Sequence, residues 1–108
     1  MNLPTEVFGD VVVVHAPEEV GEDQAAGFEA FVTSLEQNHV VLDLDNSETI
    51  DSFGLTAILE SQDNLREMTG ELKIACSNSV NRKILEITRL DDRLDVFDSV
   101  IDAVKSFR

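Results

Sequence analysis

Carboxylates, hydroxyls and one thiol are the groups in this chain that could do chemistry. Asp43 and Asp45 stand two residues apart at the end of an apolar run, Val40-Val41-Leu42. At the tip of a strand, one carboxylate could attack a phosphoryl group and the other could act as acid and base. His15 and His39 are the only histidines, and neither lies at metal-ligand spacing from Cys76. Cys76 ends an alternating stretch and reads as a small core residue. No glycine-rich phosphate loop is present. A calcium loop starting at Asp43 would need Gly where Glu48 stands. Glu18-Glu19 could be the acidic pair of a phosphoacceptor site, but no Lys stands near Phe97 to complete it.

The remaining candidate is a turn, Thr49-Ile50-Asp51-Ser52-Phe53-Gly54-Leu55. Asp51 and Ser52 stand where a helix needs its N-cap. The plain structural alternative is that one of them caps the helix and nothing more. A phosphate on Ser52 would add about −1.5 to −2 charges at a helix N-terminus. Free N–H groups and the helix dipole tolerate an anion there, so the fold would survive while a docked partner would sense the change.

The surrounding elements follow from periodicity and punctuation. Residues 2–8 read as a weak strand ending at Gly9-Asp10, and Val11–Val14 as a second strand. Residues 15–21, broken by Pro17 and Gly21, read as a loop. Phe28, Phe31, Val32 and Leu35 predict a helix over about 22–37. The strand Val40–Leu44 leads through a polar loop to the turn. The central helix runs from about 53 to 68 and stops at Gly70. Leu72, Ile74 and Cys76 predict a strand, and Ser77-Asn78-Ser79 caps a third helix carrying Val80, Ile84 and Ile87. Leu90–Leu94 reads as a loop, Val96-Phe97 as a short strand, and Ser99 caps a last helix. The order β-β-α-β-α-β-α-β-α predicts one α/β domain over residues 1–108. Its mixed sheet has four or five strands and about four helices, the outer ones mainly on one side.

Composition bounds the function. The net charge is −14, which disfavours direct binding to nucleic acid or anionic lipid. No stretch approaches the ~18 consecutive apolar residues of a membrane helix, so no membrane insertion is expected. A single cysteine allows no intrachain disulfide and fits a reducing compartment, which we expect to be the cytoplasm.

Two resemblances remain. Asp43-Leu44-Asp45-Asn46-Ser47 resembles the first motif of haloacid-dehalogenase-like phosphatases, and the resemblance would make Ser77, Lys83 and Asp91-Asp92 its later motifs, although Asp91-Asp92 follows helix-like sequence instead of a strand and the chain is short for that fold with a cap. More specifically, Val40-Val41-Leu42-Asp43-Leu44 followed by Ile50-Asp51-Ser52-Phe53-Gly54-Leu55 resembles the signature of STAS domains, the bacterial anti-sigma factor antagonists. Lys73-Ile74-Ala75, Leu90-Asp91-Asp92 and Val96–Ala103 resemble that family's later elements, so the likeness covers about residues 11–107. It implies a non-catalytic protein with no cofactor. Its partner would be an anti-sigma factor serine kinase that it binds and that phosphorylates Ser52, with a serine phosphatase reversing the change. Asp51 would help place the Ser52 hydroxyl, and Asp51, Ser52, Phe53, Gly54 and Leu55, with Glu19, would form part of the docking surface. Glu19 would replace the family's Asp near the serine. Phe53 stands where the family often has a second serine, and Arg89 where it often has Gly. Members also serve as scaffold or transporter-accessory subunits, and the resemblance allows a homodimer.

Overall fold

The computed structural model describes residues 1–108. Strands β1 (Thr5–Phe8) and β2 (Val11–His15) form an antiparallel hairpin through Gly9-Asp10. Then follow β3 (Glu19–Val20), α1 (Glu22–Thr33), β4 (His39–Asp43), β5 (Thr49–Ile50) and α2 (Ser52–Glu67). The chain continues with β6 (Glu71–Ala75), α3 (Ser79–Ile87), a 3₁₀ turn at Leu90–Asp92, β7 (Val96–Phe97) and α4 (Val100–Lys105). The main sheet has the order β1-β2-β4-β6-β7, with every pair parallel except β1–β2. This is the mixed sheet with four helices that the pattern predicts.

The strands alternate faces, as period-2 geometry requires. Val12, Val14, Val40, Leu42, Leu72 and Ile74 point to one face. There they pack with Phe28 and Val32 of α1, Ala57, Ile58 and Leu65 of α2, and Leu85 of α3. Val11, Val13, Val41 and Ala75 point the other way and pack under Ala103 of α4. The strands are apolar on both sides because helices cover both. Lys73, on the α4 face, holds the end of the chain. Its ammonium group donates to Ser106 Oγ at 2.9 Å and lies 4.3 Å from the centre of the Phe107 ring.

Three details depart from the sequence reading. First, α1 ends at Thr33, not near residue 37. The Ser34 hydroxyl donates to the Phe31 carbonyl at 2.9 Å, the acceptor that a continued helix would offer to residue 35. Leu35 still packs on the core from beyond the helix. Second, the expected loop over 15–21 contains β3, which pairs in parallel with β5 as a separate two-stranded ladder. Third, α2 closes with Thr69, not Gly70, in the left-handed conformation at φ 59°. Gly70 N–H donates to Leu65 O and Thr69 N–H to Arg66 O, the paired bonds of a Schellman motif. Gly70 is needed for a different reason. Any Cβ there would collide with the carbonyl of Asn38.

Candidate functional site: the turn that opens α2

Asp51 is the N-cap of α2, with extended backbone and its Oδ1 accepting the Gly54 N–H at 3.0 Å. Its second oxygen, Oδ2, accepts the N–H of Glu22, the first residue of α1, at 3.2 Å. One carboxylate therefore serves two helix N-termini and ties the start of α1 to the start of α2. Ser52 is the first residue of α2, exposed, and its hydroxyl makes no hydrogen bond. Asp51 therefore places the backbone around Ser52, and its carboxylate does not hold the hydroxyl. The N–H groups of Ser52 and Phe53 have no protein acceptor, as expected of a helix start.

The rest of the turn divides between packing and display. Phe53 is 54% exposed, a large apolar ring left in solvent beside the serine. Leu55 packs on the core. Gly54 is buried against β3, where a Cβ would strike the Val20 carbonyl. Glycine here is a requirement of close approach, and it explains how α2 can begin directly beneath the β3–β5 ladder. That ladder also brings Glu19 to the site. Glu19 is exposed, opposite Thr49, and lines with Gly21, Gln24 and Asp51 a cleft of about 400 Å³. The surroundings are acidic. Glu18 carries a raised pKa because it shares a hydrogen bond and negative charge with Glu48.

Residues that sequence reading passed over hold the loop from β4 to the turn. The buried side chain of Asn81 donates to the carbonyls of Leu44 and Ser47 at 2.9 and 2.8 Å. The Ser47 hydroxyl donates to Pro17 O at 2.7 Å. An Asn four residues before the buried Leu85, on the same face of α3, was the available signal.

The other candidates are dispersed. Asp43 and Asp45 do not converge. Asp43 Oδ2 lies 2.8 Å from His15 Nδ1, while Asp45 accepts from the Ser77 N–H, the Ser77 hydroxyl and the Asn78 N–H. His15 Nε2 also lies 2.7 Å from Glu6 Oε1, so the imidazole bridges two carboxylates. Its pKa is raised, chiefly by the Glu6 hydrogen bond and with help from Asp43, against the opposing effect of burial. His39 is far from that cluster in the fold, stacked on Phe107 with ring centres 4.9 Å apart. Cys76 is buried, and burial followed by the charge of Asp45 pushes its thiol pKa up, away from the reactive thiolate. Lys83 and Asp91-Asp92 lie exposed on and beyond α3.

The STAS domain model matches residues 2–103, nearly the whole chain. The chain belongs to the STAS domain family. A candidate anti-sigma factor antagonist of Thermotoga maritima is 25% identical over 110 residues, covering 98% of this chain and 97% of the relative. The crystal structure of a candidate anti-sigma factor antagonist from the same organism superimposes with a TM-score of 0.84 at 24% identity, over 96% of this chain and 92% of that one. The unphosphorylated form of the antagonist SpoIIAA superimposes with a TM-score of 0.79 at 14% identity, over 99% and 96% of the two chains. The STAS fold is also that of a sulfate transporter family protein from Wolinella succinogenes, with a TM-score of 0.80 at 17% identity over 94% and 87% of the chains. In this STAS domain, the resemblance read from Asp51-Ser52-Phe53-Gly54-Leu55 thus extends over the whole fold. No helix is long and apolar enough to cross a membrane.

Proposed function

We propose that this STAS domain is an anti-sigma factor antagonist that binds an anti-sigma factor kinase through the α2 start and is switched by phosphorylation of Ser52. The observation that carries this reading is the Ser52 hydroxyl, which is exposed and unbonded at the first position of a helix whose N-cap is its neighbour. Transfer moves the γ-phosphoryl of ATP to Ser52 Oγ, breaks the bond to ADP, and releases the hydroxyl proton to a base on the kinase. The unpartnered N–H groups of Ser52 and Phe53 accommodate the anion, so α2 persists. The kinase must bring nucleotide phosphates to the hydroxyl. After transfer, the phosphoserine faces them at contact distance, and like charges oppose rebinding. A serine phosphatase would restore the binding form. In this reading exposed Phe53 contributes the contact surface, buried Gly54 and half-buried Leu55 fix the start of α2 beneath it, Glu19 flanks it, and the cycle runs in the cytoplasm.

The test is intact-mass spectrometry with peptide mapping on protein from its own cells, paired with binding of variants to the anti-sigma factor of the same genome. Phosphate mapping to Ser52, with Ser52→Ala bound and Ser52→Asp weakened at least ~10-fold, supports the switch. Unmodified protein across growth and stress, with equal binding by both variants, overturns it. Ser52 would then be only the start of α2 in a constitutive binding subunit.

A further inference from the structure

Helix α4 is short and lies over β2, β4, β6 and β7. Beside it, at the edge of the sheet, stands β1. The register sets Phe8 opposite Val11, and directly opposed residues share a face, so Phe8 stands on the α4 side. Between Phe8 and α4 runs a trough. Its two cavities, of about 550 and 160 Å³, share Phe8, Val104 and Arg108 and so adjoin. The apolar walls are Phe8, Val11, Val100, Ile101, Val104 and Phe107. Phe8 is 47% exposed and Ile101 65%, so the trough is open to solvent. Lys105 and Arg108, one turn apart, flank it. Neither belongs to an ion pair, since the five ion pairs of the fold use Arg66, Lys73, Arg82 and His15. Asp10 is the one acid that lines either cavity. In a chain with 22 acidic and 8 basic residues, two unpaired cations against one acid reverse the prevailing sign.

We propose that this trough binds a free straight-chain carboxylate of medium length, its chain on the apolar walls and its carboxylate on Arg108 and Lys105. The larger cavity falls within the range of about 300–1,000 Å³ typical of small-molecule sites, which are mostly apolar with a few polar groups. Six wall residues are too few for a stable protein partner, which takes about 20–30 residues a side. The guanidinium fork of Arg108 suits a planar carboxylate, and Lys105 adds a second charge-assisted bond. One negative charge is the limit, because a second would face Asp10 and the field of a chain with net charge −14. The same field keeps the protein off an anionic bilayer, so the ligand is a dispersed molecule and not a membrane surface. Residues 100–108 span about 12 Å of helix rise, the extended length of a chain on the order of ten carbons with bonds of about 1.5 Å. The site lies across the sheet from α2 and does not depend on the reading of Ser52.

The test is titration calorimetry of the full chain with octanoate, decanoate and decyltrimethylammonium, all below their micelle concentrations, with amide NMR shifts to place the site. Decanoate should bind saturably and about 15-fold more tightly than octanoate, from the burial of two further methylenes. Its shifts should centre on Phe8 and Val104. Decyltrimethylammonium should bind more weakly than decanoate, although the net charge of the chain favours a cation. The double variant Lys105→Glu with Arg108→Glu, at two exposed positions, should lose at least 10-fold in decanoate affinity and reverse the preference between the two head groups. Ile101→Asp should weaken both ligands, and each variant should keep the far-UV circular dichroism spectrum of wild type. Absence of saturable decanoate binding overturns the proposal, as does a cation that binds as well as the carboxylate. An affinity that the charge-reversed variant leaves unchanged also overturns it. So does binding to phosphatidylglycerol vesicles, or to an acidic amphipathic peptide, without binding to decanoate, because the trough then serves a membrane or a protein.

Discussion

At the residue scale, the neighbours Asp51 and Ser52 have opposite duties. Asp51 accepts hydrogen bonds from Gly54 and Glu22, whereas the Ser52 side chain accepts none. Removing an N-cap side chain typically costs about 1 kcal/mol. Asp51→Ala should therefore lower stability by at least that amount in denaturant melts, because it frees two helix starts. Ser52→Ala should stay within about 0.5 kcal/mol of wild type, as for a surface change away from any cap. Equal losses in the two variants would mean that the cap is shared. His15 provides a second contrast. Its folded pKa is raised above the unfolded value, so its bridge between Glu6 and Asp43 stabilises the fold when protonated. That contribution is fully present below the unfolded pKa of about 6.5. It is lost as pH rises through the folded pKa. The melting-temperature advantage of wild type over His15→Gln should be largest near pH 5–6 and shrink toward pH 8. An advantage that does not vary with pH would show that the imidazole matters by shape alone.

At the element scale, two helices end on side chains where glycine would be easier. Thr69 closes α2 at φ 59° and Arg89 closes α3 at φ 61°. The left-handed conformation costs an L-residue roughly 1–2 kcal/mol, part of which glycine returns as extra freedom of the unfolded chain. Arg89→Gly should therefore stabilise the fold by about 0.5–1 kcal/mol in denaturant melts, and a destabilised variant would mean that the Arg89 side chain holds contacts worth more than the strain. These ends also show what was legible in sequence. The five-residue strands and the longer helices could be read because each carries an apolar run or a repeating period. Arg89 standing where related turns carry Gly was visible as a departure, and its backbone explains it. The ladder of Glu19–Val20 with Thr49–Ile50 could not be read, because two residues have no period and their partners lie 30 residues away. The same holds for Asn81, whose role depends on two carbonyls that only the fold brings within reach. At the candidate site, Asp51-Ser52-Phe53-Gly54-Leu55 was readable because cap, hydroxyl and glycine are contiguous. The second duty of Asp51 at Glu22 was not, since it depends on how α1 and α2 meet.

At the scale of the whole molecule, charge is divided unevenly along the chain. Residues 1–65 contain no Lys or Arg and carry the entire net charge of −14, while all 8 Lys and Arg fall in 66–108 and balance the acids there. The first part builds α1, most of α2, the β3–β5 ladder and the turn with Ser52. The proposed docking surface is thus built from the wholly anionic part of the chain. A partner that meets it should present basic groups, and long-range attraction should steer the encounter. In the proposed switch, phosphorylation would act at a different range, setting phosphate against nucleotide phosphates at contact, where local repulsion would outweigh the distant field. The two effects separate in kinetics. For unmodified protein, raising salt from about 0.1 M to about 1 M shortens the screening length from ~10 to ~3 Å. The association rate with the kinase should then fall about 10-fold or more, with little change in the dissociation rate. For Ser52→Asp, the loss should lie mainly in faster dissociation and persist at high salt. An association rate that salt leaves unchanged would place the partner on the charge-balanced part of the molecule instead, toward α3 and α4.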